Sequence, residues 1–118
     1  MKSLKSIAAL CIMLPLAAFA QTSTPRVDQR EANQEARIQH GINAGSLTQP
    51  EAVRLAHGQQ HVQNIEMRAK ADGVVTRQER GRLHHAQDVQ SQRIYSQKHD
   101  RQHDYNHNGR IDRYARYR

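Results

Sequence analysis

Two segments of this 118-residue chain follow one pattern, 28 residues apart. Gly45, Thr48, Glu51, Arg54, Leu55, His57 and Gln59 recur as Gly73, Thr76, Glu79, Arg82, Leu83, His85 and Gln87. The shared pattern is G-x-[LV]-T-x-x-E, then Arg-Leu, with a looser third copy at Gly109-Arg110-Ile111-Asp112. A fixed internal period means that one supersecondary unit is used repeatedly. Its residues describe the end of one helix and the start of the next. Glycine supplies the left-handed residue that stops a helix. Thr48 or Thr76 then caps the following helix, and Glu51 or Glu79 reaches back to the cap residue's own N–H, completing a capping box. Leu47 and Val75 precede the caps, where a hydrophobic staple is usual, and Pro50 falls in a first turn that tolerates it.

Between these boundaries lie runs rich in Ala, Gln, Glu and Arg, all good or fair helix formers. They predict helices over roughly 27–43, 48–71 and 76–98. The middle run carries Ala52, Leu55, Ala56, Val62, Ile65 and Ala69 at three- and four-residue steps, a narrow amphipathic stripe. The third run places Leu83, Ala86, Val89, Gln90 and Ile94 similarly. No segment alternates with period two over a strand's length. The expected fold is all-α: a small array of about three helices over 27–98, joined by glycine turns, with an irregular tail over 99–118.

The first 20 residues stand apart from this domain. Lys2 and Lys5 form a positive start, Ile7–Leu16 an apolar core, and Ala18-Phe19-Ala20 an A-x-A cleavage site. The apolar run is too short to cross a bilayer, so it reads as a secretory signal and not an anchor. A periplasmic or secreted protein is expected, with a disordered polar linker over 21–26. Cleavage would remove Cys11, and with it thiol chemistry, disulfides and Cys zinc sites; it would leave 16 basic and 11 acidic residues, a formal net charge of +5. Ile, Leu and Val number only 14 of those 98 residues. That is below the roughly 20% at which a charged chain risks disorder, so marginal stability or a homodimer is expected.

The third copy of the repeat carries the clearest chemistry. Asp104-Tyr105-Asn106-His107-Asn108-Gly109-Arg110-Ile111-Asp112 reads D-x-N-x-N-G-x-I-D. Here the chain resembles the EF-hand calcium-binding family. The resemblance implies side-chain oxygens from Asp104, Asn106 and Asn108, the backbone carbonyl of Arg110, and Asp112 bound directly or through water. Gly109 would make the sharp turn and Ile111 the apolar contact between paired loops. Position 12 is Ala115, so the bidentate glutamate is missing, and weak Ca2+ binding is expected. The two upstream copies fit the family worse. Arg68 and Lys70 occupy positions 1 and 3 of the second, and His40, Ile42 and Ala44 occupy positions 1, 3 and 5 of the first. Cations or apolar groups in those places exclude a divalent ion.

Eight histidines invite a second reading. His57 and His61 are four apart, and His99, His103 and His107 step by four with Asp100 and Asp104 interleaved. On a continuous helix such steps put imidazoles on one face, where two can share Zn2+, Ni2+ or Cu2+. A helix through His107 and an EF-type turn at Asp104 exclude each other. A third reading starts from residues 110–118, where four Arg and two Tyr stand against one Asp. Such a tail suits an anionic envelope polymer or lipid. An enzyme is not expected: no H-E-x-x-H, nucleophile elbow or glycine-rich phosphate loop is present, and so small a core builds no dry pocket.

Overall fold

The computed structural model describes residues 23–112. The signal-like segment 1–20, the start of the linker, and residues 113–118 of the Arg/Tyr tail lie outside the described residues. Three helices form the domain: α1 (Pro25–Asn43), α2 (Gln49–Lys70) and α3 (Arg77–Lys98). Among the described residues there is no strand, so the fold is all-α. Among the described residues no helix is long and apolar enough to cross a membrane.

The repeat acts as punctuation. Glu51 accepts the backbone N–H of Thr48 at 2.8 Å and its hydroxyl at 2.7 Å, and Glu79 does the same for Thr76 at 2.8 Å and 2.8 Å. In the second copy Glu79 N also donates to Thr76 Oγ1 at 3.2 Å. Gly45, Gly73 and Gly109 all have positive φ, at 69°, 84° and 76°. Both threonines are N-caps, so α2 and α3 each begin one residue later than the sequence predicts. The first helix begins earlier. Thr24 is buried at its N-cap position and its hydroxyl donates to Glu66 on α2, while Pro25 is pre-set for a first turn. The expected linker therefore gives way to helix at Pro25.

The three helices pack up, down and up. One apolar cluster joins the start of α1, the end of α2 and the start of α3 through Val27, Ala69, Val75 and Leu83, with Ile65 against it. A second joins the opposite ends through Ile38, Leu47, Leu55 and Ile94, with Ile42 against it. Ala56, expected in the stripe, is exposed. Between the two clusters, Val62 apart, the core is amide. Gln34 on α1 donates to Gln87 O on α3 at 2.9 Å, and Gln87 donates to Val27 O on α1 at 3.0 Å. Gln90 on α3 donates to Leu55 O on α2 at 2.8 Å, and Gln59 on α2 to Glu31 O on α1 at 3.4 Å. Each glutamine thus ties its helix to the backbone of another. Gly58 makes room for this layer, since a Cβ there would stand 2.1 Å from Gln90 Oε1.

Candidate metal-binding loop

The chain leaves α3 at Lys98 with His99 at the C-cap, and returns toward the α1–α2 turn. There Asp104 N donates to Gly45 O at 2.9 Å. The contact is so close that a Cβ on Gly45 would lie 2.6 Å from both Asp104 O and Tyr105 Cα. Gly45 therefore serves twice, ending α1 with a positive φ and leaving space for the loop to cross.

From this anchor the loop wraps around its own polar side chains. Asp104, only 5% exposed, accepts Asn108 N on Oδ1 at 3.0 Å and Gly109 N on Oδ2 at 2.8 Å. Asn106 Oδ1 accepts Asn108 N at 3.0 Å, and Asn108 Oδ1 accepts Arg110 N at 2.8 Å. Left-handed backbone at His107 (φ 56°) and Gly109 (φ 76°) lets the chain curl inside so few residues. Asp112 closes the far side. Its carboxylate accepts Tyr105 N at 2.7 Å and Asn106 Nδ2 at 2.6 Å, while Asp112 N donates to His103 O at 2.7 Å. His103 stacks on Tyr105 with centroids 4.8 Å apart. Exposed Ile111 lines a recess with Thr48 and Pro50 at the start of α2, so the third repeat copy meets the first.

The side chains of Asp104, Asn106, Asn108 and Asp112 thus belong to one closed turn, and Arg110 lies within it. Every carboxylate and amide oxygen in this set already accepts one hydrogen bond and keeps a further lone pair. Oxygen donors of this type suit a hard cation. The set holds two carboxylates, and among the described residues no three His, Cys, Asp or Glu side chains converge as a metal-binding group. A cation here would therefore depend on amide and carbonyl oxygens, with water completing its shell. Ala115, at the twelfth position, lies outside the described residues.

The other candidate ligands are arranged differently. Because α3 ends at Lys98, His99, His103 and His107 do not share a helical face. His99 Nδ1 contacts Tyr95 O at 2.7 Å, His103 faces Tyr105, and His107 occupies the left-handed turn. His57 and His61 do share α2, both exposed. In the second repeat copy Asp72 Oδ1 accepts Val74 N at 3.0 Å, an Asx-turn, and Glu79 is engaged in its cap. Lys70 turns away to bind Glu66 at 2.7 Å and Asp28 at 3.7 Å.

That last contact belongs to a cluster the sequence does not announce. Glu31 and Glu66 face each other across α1 and α2 beside Asp28, Lys70 and Thr24. Burial, followed by the negative charges of Glu66 and Asp28, pushes Glu31 up to about 7. Burial works in the same direction on Glu66, but hydrogen bonds from Lys70 and Thr24 outweigh it and hold that carboxyl below its usual range. The hydrogen bond to Glu66 in turn raises Lys70.

Compared with protein-family models, with curated proteins and with solved structures, the chain matches none.

Proposed function

We propose that this chain is an exported, non-enzymatic protein that binds divalent cations, calcium foremost, through the loop Asp104–Asp112. The observation that carries the reading is the turn itself. Asp104, Asn106 and Asn108 each accept loop N–H groups while their oxygens and those of Asp112 stay within one closed wrap. The loop is also held against Gly45 before any ion arrives, so little ordering entropy opposes binding. With two carboxylates and no bidentate glutamate in the wrap, affinity belongs to the weak, roughly millimolar extracellular class. Export rests on the leader-like residues 1–20.

The test is a calcium titration of isotope-labelled protein followed at backbone amides. Gly109 shifts saturably and Gly73 does not. Asn108→Ala loses the response and His103→Ala keeps it. Shifts centred on Gly73 with Gly109 silent would refute the assignment. A response that prefers Zn2+ and disappears below about pH 6 would instead assign the metal to the histidines.

A further inference from the structure

A groove of about 540 Å³ runs between α2 and α3, and α1 contributes no residue to it. Its apolar walls are the partly buried Ile65 from α2 and Ala86 and Val89 from α3, over a floor of the fully buried Val62 and Ala69. Gly58 and Ala69 bound it on α2, eleven residues apart, which is about 16 Å or three helical turns. The side chains between the helices are short or branched, leaving a furrow in which the ridge of another helix can seat.

The rim is net positive, three arginines against one carboxylate. Arg68, Arg82 and Arg93 line it, all exposed, and none of them forms an ion pair with a described residue. The one carboxylate there, Glu79, is committed to the backbone and hydroxyl of Thr76. We propose that this groove is a docking site for an acidic amphipathic helix of another protein. Apolar side chains of that helix would fill the furrow, and its carboxylates would meet the three arginines. The charge selects against the other occupants at hand. A second copy would bring the same arginines face to face, and the chain's own segment 110–118 carries four Arg against one Asp. The inference is independent of the cation loop, since none of the groove's residues belongs to residues 99–112.

The probe is a synthetic 18-residue peptide with Leu and Ala on one helical face and Glu on the other, titrated into the labelled full chain. Saturable amide shifts are expected at Ile65, Ala86 and Val89, weakening at least about threefold as salt rises from about 0.05 to 0.3 M. The double variant Arg82→Glu with Arg93→Glu, both at exposed positions, should bind at least about tenfold more weakly while keeping its helical circular dichroism. A peptide with Lys for Glu and a scrambled acidic peptide test the same point with the protein untouched, and neither should bind. The inference is overturned if the acidic peptide gives no saturable shift in the groove, or if the Lys or scrambled peptide binds as well. Equal affinity of the charge-reversed variant overturns it too. So do phosphatidylglycerol vesicles that move these amides when the acidic peptide does not, or self-association through this face.

Discussion

Glu31→Gln removes a charge that the fold disfavours and keeps the shape of the side chain. Glu31 lies between α1 and α2, partly buried, with one carboxylate oxygen that has no hydrogen-bond partner. Asp28 on its own helix and Glu66 on α2 are negative neighbours, and Lys70 is the compensating cation. A rise from 4.5 to about 7 has a ceiling of about 3 kcal/mol, and solvent screening of a partly exposed group reduces it to about 1–2 kcal/mol. The folded state binds this proton more tightly than the unfolded chain. Glu31 therefore costs nothing below its ordinary value of 4.5, and stability falls as pH rises from there through about 7. Glu66 has the opposite sign: its contribution is present above its ordinary value and lost only as pH falls through its lowered folded value. The interval between 4.5 and about 7 thus belongs to Glu31 within this cluster. Urea and thermal unfolding of both proteins at about pH 5 and pH 8 provide the assay. Little difference is expected at the lower pH. At the higher pH the variant should be more stable by about 1–2 kcal/mol, or roughly 5–10 °C in Tm for a domain of this size. An equal gain at both values, or a loss at the higher one, would refute the electrostatic argument. The Gln59 bond goes to the Glu31 backbone carbonyl and is untouched by the substitution.

Gly58→Ala should destabilise by about 1 kcal/mol in urea unfolding: its Cβ displaces the Gln90 amide that holds Leu55 O, and the better helix propensity of alanine offsets part of that cost. Pairing it with Gln90→Ala should cost less than the sum of the two single changes. Gly45→Ala and Gly73→Ala both force an L-residue into positive φ, at about 1 kcal/mol each, but only at Gly45 does the new methyl meet backbone, that of Asp104 and Tyr105. Gly45→Ala should therefore cost at least about 1 kcal/mol more, and hydrogen exchange at Asp104 N should accelerate in that variant alone. Asp104→Ala should abolish the calcium response at Gly109 and also loosen the loop without ion, since Gly109 N loses its acceptor and Asn108 N keeps only Asn106 Oδ1.

Helix boundaries are legible in this chain because capping is local. Thr48 with Glu51, and Thr76 with Glu79, settle their geometry within one turn, whatever packs around them. The loop from Asp104 to Asp112 is legible for the same reason, being closed by bonds that span at most nine residues. The glutamine layer is different. Gln at a core position looks like surface in any hydrophobic period, and its burial here depends on carbonyl acceptors 28 to 60 residues away. One clue was present, since Gln59 and Gln87 correspond in the repeat and both bond to α1. Glu31, Glu66 and Lys70 were hidden likewise, as Glu31 meets the α2 groups only when two helices come together. The four-residue spacing of His99, His103 and His107 misleads because it implies one face only while a helix continues. Asp100 instead accepts Gln102 N at 2.8 Å, a turn just past the end of α3, and no glycine or proline there warns of it.

The polar middle explains how so few apolar residues specify one arrangement. Each buried glutamine gains one interhelical bond, worth about 1 kcal/mol net, yet Oε1 of Gln34, Gln59, Gln87 and Gln90 has no partner, at a comparable or larger cost. The layer therefore adds little stability. What it adds is register, because sliding α1 along α3 by one turn would break the Gln34 and Gln87 bonds together. Stability has to come from the caps and the two apolar ends, and those ends are unlike. The Val27–Leu83 end abuts the Glu31, Glu66 and Lys70 cluster and responds to protons. The Ile38–Ile94 end contains Leu47, two residues from the glycine on which the Asp104 loop rests. A cation bound in that loop would stabilise this end by about 1.4 kcal/mol at tenfold its Kd. On the proposed function, one small bundle is thus tuned from opposite ends by two solution variables: pH at the amino-terminal end of α1, and calcium at its carboxy-terminal end.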